Sequence, residues 1–383
     1  MACLLLPTKP RSNDRVPFLG VSCLGPSRRF RRPPARSWRR WRHHRPASQG
    51  VPAMTETVIS RQPHRSIVAF LPVGLFGSTM GLTGLSVAWR QAQIRYEAPP
   101  LIADTIGLVA LLTFAALVIG YAAKVMTAPA AVVAEFRHPV AGNLFGTVFI
   151  SLLLIPIVLA PYSLLLAQAI WLIGAVGMVV FAWTIVSRWM SDRQVVAHAT
   201  PAWIVPVVGM LDLPLALPSL GLPPMHGVMV LGLAVGLFFA IPIFTLVFSR
   251  LLFEEPLPPA LQPSLMILIA PFAVGFSTYV VTTGQIDLLA ESLYVLSLFM
   301  LVVLVGRLRH AATCCPFNVS WWAISFPLAA TAIAGIRFAT AAASSVADVI
   351  ALLLLGFATL AVLALLARTL WGMARGELAA MSS

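Results

Sequence analysis

Residues 317–340 read FNVSWWAISFPLAATAIAGIRFAT. Between Asn318 and Arg337 this stretch has no charged side chain, and about 20 such residues in an α-helix cross the hydrocarbon of a bilayer. Pro327 stands near its centre, directly after Phe326, and several alanines follow. Proline removes a backbone donor and bends a helix. The stretch therefore predicts a bent transmembrane helix with an aromatic side chain at the bend.

Other segments share this length and apolar character. Of the 383 residues, 59% are hydrophobic and 10% are charged, whereas about a quarter are charged in an ordinary soluble domain. This composition excludes a soluble fold and predicts an all-α integral membrane protein. The ten predicted spans are 67–89, 101–123, 139–159, 163–187, 202–220, 226–249, 265–283, 288–306, 320–341 and 346–367. Short connections between consecutive spans predict five antiparallel helical hairpins.

The basic residues are concentrated at the N-terminus. Residues 1–53 hold twelve of the 26 Lys and Arg residues and one acidic residue, so they carry +11 of the +13 net charge. This Pro- and Arg-rich segment lacks hydrophobic periodicity, which predicts that residues 1–65 are disordered. Three interpretations compete: a basic arm for anionic lipids, an address signal, and translated sequence upstream of a true start at Met54. We favour the last, with a membrane domain at 66–372 and a short tail at 373–383.

The remaining basic residues indicate the orientation. Eleven of them fall on the side of the predicted membrane that holds the N-terminus, and three, Arg90, Arg95 and Arg337, fall on the other side. Positive charge accumulates on the cytoplasmic side of membrane proteins. We therefore expect an even number of spans, with both termini cytoplasmic, in a bacterial inner membrane or another plasma membrane.

Prolines alternate along the predicted spans. The odd-numbered spans contain Pro72, Pro156, Pro206, Pro214, Pro271 and Pro327, and among the even-numbered spans only the sixth contains one, Pro242. Backbone groups freed by proline are tolerated in a bilayer only against protein or in a wet cavity. The alternation predicts an inner ring of odd-numbered helices around a central pore, with kinks at Pro72, Pro156, Pro214, Pro271 and Pro327. The alternative is that the kinks only improve packing, because proline is common in membrane helices.

Phe326 is the candidate gate of such a pore. A bulky aromatic side chain at a bend, on a helix otherwise rich in alanine, can close a narrow conduit, and hydrophobic constrictions gate by excluding water. The alternative is a core phenylalanine packed between helices, which is the more common position for such a residue.

Two charged residues inside the predicted spans are candidate proton or charge sites. Asp212 lies in the fifth span, where an ionised carboxylate would repel an anion. It is therefore protonated, paired with a cation such as Arg337, or nearer to water at a helix end. Arg337 lies toward the outer end of the ninth span, where it either extends to the interface or attracts anions to the outer mouth.

The sequence contains no pattern typical of a cofactor, a metal site or an enzyme. The four cysteines lack metal-ligand or disulfide spacing, and no Gly-rich phosphate-binding loop occurs. We expect no cofactor, no catalytic residue and no nucleic acid partner. The expected partners are the lipid bilayer and small inorganic or organic anions.

Four motifs carry a resemblance to a known family. They are FLPVGLFGSTMGLTGLSVAWR at 70–90, EFRHPV at 135–140, TGQIDLLAESLYVLSL at 283–298 and SWWAISFP at 320–327. The chain resembles the tellurite-resistance and dicarboxylate transporter family, which includes the plant slow-type anion channels. The resemblance implies a homotrimer in which each protomer has its own pore of five inner helices, with Phe326 as the gate. It also implies chloride, nitrate, sulfite and malate or related carboxylates as substrates.

The sequence thus predicts a passive channel or transporter for small anions. The nearer alternative is a proton-coupled exporter of dicarboxylates or sulfite that uses Asp212. A more distant alternative is a membrane-embedded enzyme, which would need His, Cys or acidic residues that converge inside the bilayer.

Overall fold

The computed structural model describes residues 71–223, 225–309 and 315–377. Throughout these ranges the chain forms helices and turns, without a β-strand. The predicted all-α class is therefore confirmed. The predicted tail at residues 1–65, the first residues of the predicted first span and the end of the predicted C-terminal tail lie outside the described residues.

Eleven α-helices and eight 3₁₀-helical segments make up the described ranges. The α-helices are α1 (Phe76–Tyr96), α2 (Pro100–Thr127), α3 (Pro129–Arg137), α4 (Gly146–Leu159), α5 (Leu164–Ser191), α6 (Val205–Val208), α7 (His226–Phe253), α8 (Ala270–Thr283), α9 (Leu288–Leu308), α10 (Ser325–Ala342) and α11 (Ser345–Ala374). The 3₁₀ segments are Val73–Leu75, Ala141–Phe145, Val196–His198, Pro201–Ile204, Gly209–Asp212, Leu217–Ser219, Pro259–Ile269 and Val319–Ile324.

Nine helical stretches in the described residues are long and apolar enough to cross a membrane. They correspond to the second to tenth predicted spans, with ends that move by up to seven residues. The first predicted span, 67–89, differs more, because α1 begins at Phe76 and continues to Tyr96. Its glycine, serine, threonine and glutamine residues make α1 less apolar than the other spans. The count of ten spans stays a prediction.

The spans are of two kinds. Helices α2, α5, α7, α9 and α11 are uninterrupted α-helices of 21 to 30 residues, and we call them the straight helices. The others change helix type along their length. We call them broken spans 1 (73–96), 3 (Ala141–Leu159), 5 (Pro201–Ser219), 7 (Pro259–Thr283) and 9 (Val319–Ala342).

Burial separates the two kinds. In the most apolar 18 residues of each stretch, 61% to 78% are buried in broken spans 3, 5, 7 and 9, against 17% to 33% in the straight helices. The exposed residues of the straight helices are large and apolar, as Phe238, Phe299 and Leu353 illustrate. A membrane protein places such side chains against lipid. The broken spans therefore form the interior, and the straight helices cover them.

The broken spans contact one another in a closed cycle. Span 1 contacts span 3, span 3 contacts span 5, span 5 contacts span 7, span 7 contacts span 9, and span 9 returns to span 1. Each straight helix packs against the broken span that precedes it in the chain. The odd-numbered spans thus surround one another in the order in which they occur along the chain.

Hydrogen bonds from hydroxyl groups to backbone carbonyls join neighbouring broken spans 1, 3 and 9. The Thr147 hydroxyl donates to the Val73 carbonyl at 3.3 Å, and the Ser151 hydroxyl donates to the Phe76 carbonyl at 3.2 Å. On the other side of span 1, the Ser325 hydroxyl donates to a carbonyl at 3.3 Å. These bonds occur where the helix type changes and carbonyl oxygens have free lone pairs.

The same kind of bond continues around the cycle. The Ser320 hydroxyl of span 9 donates to the carbonyl of Ala260 in span 7, and the Thr278 hydroxyl of span 7 donates to the carbonyl of Leu211 in span 5. The indole N–H of Trp171, on straight helix α5, donates to another carbonyl of span 5 at 3.1 Å. Irregular backbone inside the bilayer is therefore satisfied by protein partners, as the absence of water there requires.

Glycines on α1 allow it to lie close to α10. A Cβ atom at Gly81 would collide with the Ser325 side chain, and one at Gly84 would stand 2.9 Å from the Ala329 Cβ. Small residues bring helix backbones together in membranes because no hydrophobic force acts between helices there. The glycine-rich pattern of the first motif thus serves the contact between spans 1 and 9.

The prolines act differently from the predicted kinks. Pro271 and Pro327 lie in the first turns of α8 and α10, directly after a 3₁₀ segment, where the missing N–H costs little. Pro72 precedes the first 3₁₀ segment, and Pro214 lies in the turns between two others. Pro156 stands inside an α-helix. In most broken spans, therefore, proline marks a change of helix type or an end, and does not bend a continuing α-helix.

Candidate functional site

A cavity of about 360 Å³ lies between the five broken spans. Its lining, among the described residues, is drawn from every one of them and from the segment before span 3. The lining includes Pro72, Gly74, Gly77, Met80, Glu135, Leu144, Thr147, Ile150, Thr200, Val205, Val208, Asp212, Ser264, Ile267, Ala270, Val274, Asn318, Ser320, Ala323, Phe326 and Pro327. Most of these residues belong to the N-terminal parts of their spans, so all five spans run in the same direction away from the cavity.

Phe326 lies at the closed end of this cavity. The last lining residues of spans 1, 3, 7 and 9 are Met80, Ile150, Val274 and Pro327. Phe326, next to Pro327, therefore lies where the lining ends. The Phe326 side chain is 8% exposed, and a Cβ at Gly84 would stand 3.6 Å from its ring. The absence of a side chain at Gly84 therefore leaves the space that the ring occupies.

Asp212 also lines the cavity. It is 2% exposed, and its Oδ1 atom has no hydrogen-bond partner. In the part of the chain that the structure describes, the ion pairs do not include Asp212, so the pairing with Arg337 considered from the sequence is not formed. Nor does it lie at an exposed end. A buried carboxylate without a counter-cation is costly when ionised.

Arg337 lies beyond the closed end. Its Nη1 donates to the carbonyl of Ser277 at 3.4 Å, and its Nε donates to the side-chain oxygen of Gln91 at 3.1 Å in the amide orientation that satisfies both groups. It therefore joins spans 9, 7 and 1, and it does not extend to the interface alone.

A buried ion pair that the sequence did not predict holds the start of span 1. Lys124 on α2 contacts the Glu135 carboxylate at 2.7 Å and also donates to the Leu71 carbonyl at 2.7 Å. The other carboxylate oxygen of Glu135 accepts the Val73 N–H at 2.7 Å, and Tyr121 donates to the first at 3.1 Å. Glu135 lines the cavity, so this pair neutralises its charge there. Glu135 belongs to the EFRHPV motif, one of the four motifs found in the sequence. Only the fold shows that Lys124 contacts it.

Two of the five prolines predicted as kinks line the cavity, and three do not. Pro72 and Pro327 line the cavity, whereas Pro156, Pro214 and Pro271 do not. Asp212 is the charged lining residue, among those described, that lacks an ion-pair partner. Within the described ranges no three His, Cys, Asp or Glu side chains are grouped as metal ligands.

Comparison with known proteins gives a family. The model of the SLAC1 family, described as voltage-dependent anion channels, matches residues 71–370, which includes all five broken spans and all of the straight helices except the last four residues of α11. The chain belongs to the SLAC1 family. The family resemblance inferred from the four motifs is thereby confirmed, and the chain is a multi-pass membrane protein.

Individual SLAC1 relatives are distant. The S-type anion channel SLAH3 of Arabidopsis thaliana is 28% identical over 310 residues, which are 78% of this chain and 48% of the relative. The guard cell S-type anion channel SLAC1 of the same plant is 26% identical over 78% of this chain and 55% of the relative. The tellurite resistance protein TehA homolog of Haemophilus influenzae is 28% identical over 70% and 81%. The chain thus spans about half the length of these two plant channels.

The Lys124–Glu135 pair predicts a specific effect on stability. Lys124→Met leaves a buried carboxylate without its cation, so we expect a loss of about 3–5 kcal/mol of unfolding free energy, which lowers the thermal midpoint of the purified protein. The double variant Lys124→Met, Glu135→Gln should regain most of this loss.

Arg368→Gln is the matched control, because its ion pair with Glu377 is about one-third exposed on both sides. Exposed pairs contribute about 0–1 kcal/mol. Equal midpoints for Lys124→Met and Arg368→Gln, or a double variant as unstable as the single one, would contradict this account of the pair.

Proposed function

We propose that this protein conducts small anions passively across the membrane, through the cavity between the broken spans and past Phe326. The observation that carries the proposal is the cavity itself: five spans with satisfied irregular backbone surround it, and an aromatic side chain closes it. Among its described lining residues, Glu135 is neutralised by Lys124 and the others, except Asp212, are uncharged. An anion therefore meets a neutral, mostly apolar wall.

The direction of the spans favours anions over cations. All five broken spans have their N-terminal parts around the cavity, and the N-terminal end of a helix carries partial positive charge. These ends attract an anion without a charged side chain, so selectivity among anions follows the cost of removing their water. Chloride, nitrate, sulfite and malate-like carboxylates are the substrates to compare.

The names of the relatives support the same proposal. The plant proteins are called S-type anion channels and the family description is voltage-dependent anion channel. Conduction makes this protein a channel or transporter and not an enzyme. We further propose that it forms a homotrimer with one pore per protomer in the plasma membrane, with both termini in the cytoplasm.

Truncation of the gate tests this function. Phe326→Ala removes the ring from the closed end of the cavity, so we expect anion flux into liposomes to rise by about tenfold, because the hydrophobic constriction no longer excludes water. The measurement is chloride and nitrate flux per folded protein, since loss of a large core side chain also costs stability.

Phe299→Ala is the control, because Phe299 is 62% exposed on straight helix α9. It should leave the flux unchanged. A well-folded Phe326→Ala variant with flux equal to or below that of the original protein would overturn the assignment of the gate.

A second candidate function is proton-coupled transport of carboxylates or sulfite. The observation that favours it is Asp212, a 2% exposed carboxyl group with a free oxygen on the cavity wall. When ionised it repels an anion in the cavity, and a bound proton removes that repulsion. A carrier on this scaffold would move the anion and the proton together.

A pH gradient distinguishes the two candidates. For the carrier we expect an imposed gradient alone to drive malate or sulfite into liposomes against its concentration gradient, and Asp212→Asn to abolish this uptake. Asp104→Asn is the control, because Asp104 is half exposed and pairs with Arg90 at 3.5 Å. Uptake that never exceeds equilibrium, in the original protein as in Asp212→Asn, contradicts the carrier.

A further inference from the structure

Within the described ranges, Arg337 is a partly buried cation without a carboxylate partner. Four other cations of the described residues form ion pairs with acids: Lys124 with Glu135, Arg90 with Asp104, Arg95 with Asp348 and Arg368 with Glu377. Arg337 instead contacts a backbone carbonyl and a side-chain amide, which are neutral. An uncompensated positive charge inside a membrane protein favours an anion beside it.

The position of Arg337 continues the cavity wall. Eleven residues along an α-helix make about three turns and return to the same face within about 20°, about 16 Å further on. Arg337 follows Phe326 by this interval on α10, and Gln91 follows Met80 by the same interval on α1. Both Phe326 and Met80 line the cavity. Arg337 and Gln91 therefore lie on the continuation of the lining faces, beyond the gate.

Ser277 adds a third group at the same level. It stands just under one turn after the lining residue Val274 on α8, and its carbonyl accepts from Arg337. The Ser277 side chain is 3% exposed, and its hydroxyl oxygen has no hydrogen-bond partner. A buried hydroxyl without a partner is unusual and calls for a ligand or water.

The donors that remain suit a small anion. A guanidinium group has five N–H donors, and the protein accepts two of them here, from Nε and Nη1. The remaining N–H groups and the Ser277 hydroxyl are donors, and Gln91 fixes the guanidinium in place. Spans 9 and 7 thus supply the donors, and span 1 supplies the Gln91 oxygen that holds the guanidinium group.

We propose that Arg337, held by Gln91, and the Ser277 hydroxyl form an anion-binding site beyond Phe326, specific for a small monovalent anion such as nitrate or chloride. The inference deepens the proposed function, because the site lies on the same path. One cation balances one negative charge, so a dianion would leave an excess charge in a poorly solvated place.

Nitrate-dependent stability tests the site without relying on conduction. A ligand that binds only the folded protein raises its thermal midpoint in proportion to the logarithm of its concentration above Kd. We compare sodium nitrate, sodium sulfate and sodium gluconate at equal ionic strength on the full chain in detergent. Sulfate stabilises folded proteins without binding to a site, so the comparison is made between variants. We expect Arg337→Gln to need about tenfold more nitrate than the original protein for the same rise, and sulfate and gluconate to shift the midpoints of both proteins equally.

Two further variants separate charge from packing. Arg337→Lys keeps the charge and loses the planar donors, so we expect it to need more nitrate than the original protein and less than Arg337→Gln. Arg95→Gln removes a cation that Asp348 already compensates at 3.1 Å, so we expect no change in the nitrate response. An unchanged nitrate response in Arg337→Gln, or an equal loss in Arg95→Gln, overturns the site.

The flux of Phe326→Ala distinguishes this inference from the proposed function. If that variant shows no increased flux while nitrate stabilises the protein through Arg337, the proposed gate fails and the binding site stands. If the flux increases and the nitrate response of Arg337→Gln is unchanged, the site fails and the gate stands.

Discussion

The whole arrangement depends on a constraint that the bilayer imposes on peptide groups. Hydrocarbon offers no water to a carbonyl or N–H that leaves the regular α-helical pattern, so such groups need a protein partner or a wet cavity. Five spans of this protein depart from the α-helix, and hydroxyls of neighbouring broken spans donate to several of their carbonyls. The constraint explains why the broken spans lie inside and contact one another. It also explains why the straight helices, which satisfy their own backbone, are the ones exposed to lipid.

Buried charged side chains also need partners inside the protein. The carboxylate at the cavity that the structure pairs, Glu135, is neutralised by Lys124 and also holds the backbone at the start of span 1. Among the described residues, Asp212 has no cation partner, and Arg337, which lies beyond Phe326, has no acidic partner. Under the proposals above, Asp212 disfavours an anion unless it binds a proton, and Arg337 attracts one.

The sequence predicted the parts of the fold that follow from apolar length and from proline. The straight helices begin within one residue of their predicted starts and end up to seven residues later than predicted, because long apolar runs leave little ambiguity about where a span lies. The end of the first span was predicted seven residues too early, at residue 89, because the arginine and glutamine residues that follow weaken the apolar signal while α1 continues to Tyr96. The change to 3₁₀ geometry was missed, since proline indicates a break without showing what replaces the α-helix. The short helix α3 was also missed.

Most of the site required the fold. Phe326 and Asp212 were candidates from the sequence because an aromatic at a proline and an acid in an apolar span are unusual. The partners of Lys124 and Arg337 come from other spans, up to 246 positions away for Gln91, and no local pattern links them. Gln91 was predicted to lie outside the first span, and only the extension of α1 to Tyr96 brings it beside Arg337.

The most direct measurement of the central claim is the reactivity of single cysteines with an anionic, water-soluble thiol reagent in liposomes, after the four native cysteines are replaced by serine. Ala202→Cys and Ala270→Cys place the thiol on the cavity wall, where the native residues are 4% and 7% exposed. Ala115→Cys places it on the exposed face of straight helix α2. If the broken spans enclose a water-filled route, the two buried positions react and the exposed one, against lipid, does not. Reaction at Ala115→Cys with none at Ala202→Cys and Ala270→Cys would contradict the account.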